Sequence, residues 1–163
     1  MNKTIRTAVM EDLESIAAIE NASFSAAEAA SADVMAERLK YFAGHFWLML
    51  DGGRAVAFLD GFTTDEADLT DEMYARPDMH DETGRWQMIF GFAAIPEYRG
   101  SGCAAELMRY VINDVKSQGR TGLVLACKEK LVDYYAQFGF VDEGKSDKSC
   151  HGGAEWNQMR LTF

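Results

Sequence analysis

Between residues 95 and 105 the chain reads Ile-Pro-Glu-Tyr-Arg-Gly-Ser-Gly-Cys-Ala-Ala. Gly100 and Gly102 remove side chains where backbone N–H groups can face outward. The segment then enters an amphipathic stretch, whose first helical turn brings further unpaired N–H groups and the positive end of a helix dipole. Arg99 adds a full charge. Together these groups make an anion site, and a pyrophosphate suits it. Two familiar phosphate loops fit less well. Gly100-x-Gly102-x-x-Ala105, with Glu129 further on, loosely follows a dinucleotide-binding fingerprint. In that fold the strand runs almost directly into the first glycine, whereas Pro96, Glu97, Tyr98 and Arg99 intervene here. The preceding elements also read as antiparallel, and too few strand–helix units follow. This segment carries no Gly-x4-Gly-Lys loop.

Composition narrows the partners. The 163 residues include 26 acidic and 16 basic ones, a formal charge of −10. Nucleic acid and anionic membrane surfaces are poor partners for that balance, and a cation is a better one. Apolar residues make up 48%, which argues against disorder. A chain of this length buries roughly 70% of its unfolded surface, enough for a core in one domain spanning 1–163. No apolar run reaches the ~20 residues that a bilayer demands, and Met1 to Asp12 carries no secretory signature. Cys103, Cys127 and Cys150 form no CxxC pair, and His45, His80 and His151 lie far apart in sequence. Reduced thiols, no metal and a cytoplasmic monomer or homodimer are the expectation.

The elements that must position the loop follow from periodicity. Residues 3–9 read as a strand and Asp12 to Phe24 as a helix with Leu13, Ile16 and Ala17 on one face. Ser31 caps a second helix, with Met35, Leu39 and Phe42 as its buried stripe and Gly44 at its end. Phe46 to Leu50 and Arg54 to Phe62 form a hairpin around Asp51-Gly52-Gly53. Residues 65–82 hold eight carboxylates against Arg76; they read as a solvated loop with at most one helical turn, or as a negative rim that attracts a cation. Trp86 to Ile95 is an apolar strand. From Gly102 to Ser117 the apolar positions Ala104, Leu107, Met108, Val111, Ile112 and Val115 fall at i, i+3, i+4, i+7, i+8 and i+11, the clearest helical period in the chain. Gly119 closes that helix. A short strand (Leu123 to Cys127), a helix (Glu129 to Phe138) and two strands (Phe140 to Gly144, Glu155 to Thr162) complete an α/β (α+β) chain with an antiparallel N-terminal half and one parallel crossover.

Arg99-x-x-Gly102-x-Ala104 resembles the Gln/Arg-x-x-Gly-x-Gly/Ala signature of GCN5-related N-acetyltransferases (GNAT), and Tyr134 to Phe140 resembles their Tyr-x-x-x-Gly-Phe ending. The resemblance covers nearly the whole chain. It implies the GNAT fold: a central mixed sheet of six to seven strands flanked by about four helices, with parallel strands splayed at the acetyl-CoA site. A narrower similarity is to bacterial arylalkylamine (serotonin) N-acetyltransferase-like proteins. It rests on Phe24 to Ser31, Cys127-Lys128-Glu129, Tyr135, and His151 to Trp156 with Met159. That similarity implies acceptors such as serotonin, tryptamine and phenethylamine.

What the resemblance implies for the site is specific. Phe92, Ala93 and Ala94 offer backbone groups to pantetheine and thioester, and Arg99, Gly100, Ser101, Gly102, Cys103, Ala104 and Ala105 hold the pyrophosphate. Transfer is direct, without an acetyl-cysteine. Tyr135 is the general acid for the departing thiolate. The vertebrate relatives' two strand histidines fall at Met88 and Phe90, which cannot move protons. Glu28 is then the candidate base, as in insect relatives, and His151 a second candidate. Phe24, Met88, Phe90, His151 and Trp156 line the acceptor pocket. A polyamine, an amino acid or a protein N-terminus as acceptor, or a non-catalytic acyl-CoA-binding regulatory module, remain the alternatives.

Overall fold

The computed structural model describes residues 2–163. Strand β1 (Lys3–Thr7) leads through a 3-10 turn into α1 (Leu13–Ser23), and α2 (Ala32–Phe42) follows. The Ser31 hydroxyl accepts the Val34 N–H at 3.2 Å, as an N-cap should. β2 (Phe46–Asp51) and β3 (Arg54–Asp60) form the expected hairpin. Gly52 and Gly53 take φ of 58° and 85° at its tip, the left-handed pair that a two-residue turn requires. β4 (Thr63–Thr64), α3 (Asp71–Ala75), β5 (Trp86–Met88), β6 (Gly91–Ala94), α4 (Cys103–Ser117), β7 (Gly122–Cys127), α5 (Val132–Ala136), β8 (Val141–Lys145) and β9 (Asn157–Thr162) complete the chain.

The strands form two sheets, ordered β1-β2-β3-β6 and β4-β5-β7-β9-β8. The first is antiparallel throughout, and the only parallel pair among the described residues is β5 with β7. The apolar run Trp86 to Ile95 is therefore not one strand. The Ile89 N–H bonds Val124 O and the Phe90 N–H bonds Asp60 O, yet Gly91 is the register partner of Asp60. Two residues oppose one, which is a β-bulge. There the chain leaves β7 and continues along β3 as β6. Glycine is required on both sides of the crossing. A Cβ at Gly61 would lie 1.7 Å from Met88 O, and one at Gly91 would lie 2.6 Å from Asp60 Oδ1.

The main core joins α1, α2 and α4 to the strands. Cys103, Leu107, Met108, Val111 and Val115 are the buried stripe of α4. A second, smaller core holds Phe42, Phe62, Leu69, Met73, Met88 and Val124. Residues 65–82 form the one expected helical turn, α3, and supply Leu69 and Met73 to this core, so the segment is not wholly solvated. Most of their carboxylates are paired: Asp68 to Lys148 (2.6 Å) and Arg160 (3.0 Å), Asp65 to Arg85, Asp71 to Ser149 and the Cys150 N–H, and Glu72 and Asp78 to Arg76. No helix among the described residues is long and apolar enough to cross a membrane.

Candidate active site

The bulge opens a wedge between β6 and the end of β7. On β6 the Ile95 N–H bonds Val56 O, so strand alternation turns the peptide groups of Phe92 and Ala94 away from β3 and into the wedge. A cavity of about 430 Å3 runs along this edge and over the start of α4. Phe92, Ala93, Ala94, Arg99, Gly100, Gly102, Ala104 and Ala105 line one side, and Leu131, Tyr134, Tyr135 and Gln137 the other. Gly100 and Gly102 have φ of 77° and 88°, and nothing lies within 4 Å of a Cβ placed on either. Backbone conformation rather than crowding demands glycine here. Gly102 caps α4, aiming the helix's first N–H groups at the cavity. The Arg99 guanidinium reaches back to Ala94 O, Ala22 O and the Ser23 hydroxyl (3.3, 3.1 and 3.3 Å), tying the loop to the end of α1. Cys103 is fully buried; only its backbone faces the loop, and its N–H bonds the Ser101 hydroxyl.

A second cavity of about 90 Å3 adjoins the first across Phe24, Phe92, Leu131 and Tyr135, which line both. Glu20, Glu28, Tyr74, Phe90, His151 and Trp156 complete much of its wall. Two loops meet at its rim. The His151 ring donates from Nε2 to Glu28 O (2.8 Å) and stacks on Tyr74 at 4.5 Å and 13°. The Trp156 indole N–H donates to His151 O (2.8 Å).

Residues 12–140 match the Acetyltransferase (GNAT) family. The chain belongs to this family. It is an acetyl-CoA-dependent acyltransferase, with acetyl-CoA as co-substrate. Solved structures agree on the fold. The loading GNATL domain of CurA from Lyngbya majuscula superposes with a TM-score of 0.85 at 13% identity, covering 99% of this chain and 98% of that one. The GphF GNAT-like decarboxylase in complex with isobutyryl-CoA gives 0.83 at 16%, covering 98% of each. The ribosomal-protein-S18-alanine N-acetyltransferase from Escherichia coli gives 0.73 at 17%, covering 98% and 93%. A sequence search of curated proteins finds no match.

Within this GNAT site the sequence-derived residues fall unevenly. Phe24, Glu28, Phe90, Tyr135, His151 and Trp156 share the smaller cavity. Met88 does not join them. It sits where β5 is still paired to β7, fully buried in the second core beneath residues 69–73. The resemblance to the vertebrate relatives' strand histidines paired it with Phe90 but did not give its depth. Glu28 is in place, but its carboxylate is bound to Lys128 at 3.0 Å and faces the Ser25 hydroxyl. Burial, chiefly, pushes the Tyr135 phenol above its ordinary value, so it stays protonated. Burial also pushes the Cys127 thiol up to about 11, far from a thiolate nucleophile at neutral pH.

Two residues escaped the sequence reading. Tyr74 stacks in the pocket from a segment read as solvated. Glu20 is 4% exposed, one turn before the end of α1. Its Oε2 accepts the Ala30 N–H at 2.7 Å, and its Oε1 has no partner. Spacing offered a signal: Leu13, Ile16, Glu20 and Phe24 step along the buried face of α1. The histidines also meet more than their separation in sequence suggests. His45 and His80 both face Glu82, at 3.0 and 2.9 Å. The His80 Nδ1 accepts the Thr63 N–H at 3.1 Å, so its Nε2 carries the ring proton and donates to Glu82. Arg120 holds the same carboxylate at 3.2 Å. The cluster is a hydrogen-bonded clasp away from both cavities.

Proposed function

We propose that this acyltransferase moves the acetyl group of acetyl-CoA directly to a small primary arylalkylamine. The junction of the two cavities at Tyr135 carries the reading. One cavity is long, edged by peptide groups and ends on the glycine loop; it suits pantetheine and pyrophosphate. The other is small, aromatic and acidic; it suits a ring bearing an ammonium. The reacting carbon and nitrogen would meet beside Tyr135.

The pocket's shape also favours this class over its rivals. A polypeptide N-terminus needs a groove through which its chain continues, whereas here the His151–Glu28 contact and the Tyr74–His151 stack narrow the mouth. A polyamine needs several free carboxylates along its length. Glu28 is neutralised by Lys128, leaving one deep anionic position and a wall of aromatic rings. Decarboxylation, the activity named for the GphF neighbour, would place a substrate carboxylate against Glu20.

Tyr135 is assigned the proton transfer to sulfur. A phenol held above its ordinary value releases its proton only in concert with regaining one. The second proton shed by the amine nitrogen fits that exchange. Glu28, paired as it is, orients the acceptor at the mouth. The test is a panel read out through released thiol: tryptamine, phenethylamine, spermidine, a free amino acid and a peptide N-terminus. The two arylalkylamines should show the highest kcat/KM. Preference for spermidine or peptide would overturn the acceptor class, and acetyl-CoA binding without any acetylation would favour a regulatory module.

A further inference from the structure

We propose that Glu20 is the base that takes the proton from the acceptor ammonium, and that its unpartnered Oε1 is the atom that does so. The inference rests on the acyl-transfer reading of the two cavities and deepens it.

Burial sets Glu20 apart from every other carboxylate of the pocket. The side chain is 4% exposed, yet it lines the acceptor cavity. One oxygen is fixed by the Ala30 N–H, which hangs the Phe24–Ser31 loop on this carboxylate. The other oxygen is buried with no donor anywhere within reach. An unsatisfied buried carboxylate oxygen is costly. An ammonium arriving in the cavity is a donor of the right charge, and no other cationic group of the pocket wall is aimed at that atom. Lys128 faces Glu28, and Arg38 bonds Asp60 and Tyr74 O at 3.1 Å each, while its buried Nε makes no bond to Glu20.

The surroundings tune the group. Burial, opposed by the Ala30 N–H, raises its carboxyl from 4.5 to about 7. From neighbouring elements Asp60 of β3 raises it further and Arg38 of α2 lowers it. Tyr74, Tyr135 and Cys127 face the same cavity and stay neutral near pH 7; Glu28 and His151 stand at its mouth. A primary ammonium has a pKa of about 10, so a carboxylate at 4.5 is a base too weak by more than five powers of ten. At about 7 roughly 300-fold of that deficit is recovered.

The protons balance. The Glu20 carboxylate removes one proton from R–NH3+ and passes it to solvent after the acetylamine leaves. The freed lone pair attacks the thioester carbon, the C–N bond forms and the C–S bond breaks. The nitrogen's second proton replaces the one that Tyr135 gives to sulfur. The products are the N-acetylamine, free thiol and one released proton.

Glu20→Gln keeps the shape and the Ala30 contact but not the basicity. Acetyl-CoA affinity by calorimetry should stay within twofold, and kcat should fall at least about 100-fold. The wild-type kcat/KM should rise with pH through an inflection near 7 that the variant lacks. A phenethylamine made weakly basic by β,β-difluorination, largely unprotonated at pH 8, should recover most of the lost rate, and Glu20→Asp should recover part of it. A merely structural carboxylate would show neither recovery. If spermidine or a peptide is acetylated while tryptamine is not, the acceptor class falls and the same comparison on the better amine decides Glu20. A Glu20→Gln enzyme with unchanged rate and inflection would overturn the assignment, as would failure of every amine in the panel.

Discussion

Placing a carboxylate under an enzyme pocket should cost the fold a calculable amount. In the unfolded chain Glu20 titrates near 4.5, and in the folded protein near 7. The folded state therefore holds this proton more tightly. Its contribution to stability is fully present below 4.5 and is lost as pH rises through about 7. The difference between 4.5 and about 7, at about 1.4 kcal/mol per pH unit, comes to about 3 kcal/mol. Glu20→Gln removes the titration but not the side chain. Whatever fixed penalty the amide carries is independent of pH, so it drops out of the slope. Urea unfolding of both proteins at pH 4.5, 5.5, 6.5, 7.5 and 8.5 gives the difference directly. Wild type minus variant should fall by about 3 kcal/mol between the ends, with most of the change below pH 7.5. By that pH the variant has made its full gain relative to wild type, while its turnover is crippled. Parallel curves would mean that Glu20 titrates alike folded and unfolded, and the reasoning about its burial would be wrong.

Three other perturbations test the rest of the site. Tyr135→Phe should lower kcat by about 100-fold while acetyl-CoA affinity stays near normal in calorimetry; an unchanged rate removes the phenol from the chemistry. Gly102→Ala forces a Cβ onto a backbone at φ 88°, a strain of about 1–3 kcal/mol, so acetyl-CoA affinity should drop by roughly 5- to 100-fold with little effect on the acceptor KM. Arg38→Met strands the fully buried Asp60 and should destabilise the protein by about 3–5 kcal/mol in thermal or urea unfolding, whereas Arg38→Met combined with Asp60→Leu should recover much of that loss.

What could be read from sequence was whatever repeats or turns. The 3.6-residue period of α4, the Asp51-Gly52-Gly53 hairpin and the glycine loop each leave a local pattern, and each lies where it was expected. The broken strand leaves none, because apolar residues continue through Ile89 and Phe90 while the hydrogen bonds change partner. That single bulge divides one expected sheet of six to seven strands into two sheets with nine strands. It also separates Phe90, in the pocket, from Met88, in the core. The segment 65–82 misled through composition. Its carboxylates find cations far away in sequence, at Arg120, Lys148 and Arg160, and Leu69 and Met73 carry its packing. Glu20 was hidden for the opposite reason. One acidic residue on an apolar helix stripe looks like a tolerated exception until the cavity beside it is seen.

On the proposed seating of acetyl-CoA, the divergence of β6 from β7 would give the pantetheine arm an architectural part to play. Peptide groups of Phe92 and Ala94 look across a gap where a neighbouring strand would lie in an ordinary sheet. An amide-bearing chain laid along that gap acts as a surrogate strand and stitches the two sheets together. The catalyst would thus be completed by one of its own reactants. Cellular supply of the thioester would set how fast the enzyme works and also how long each copy of it survives heat and proteases.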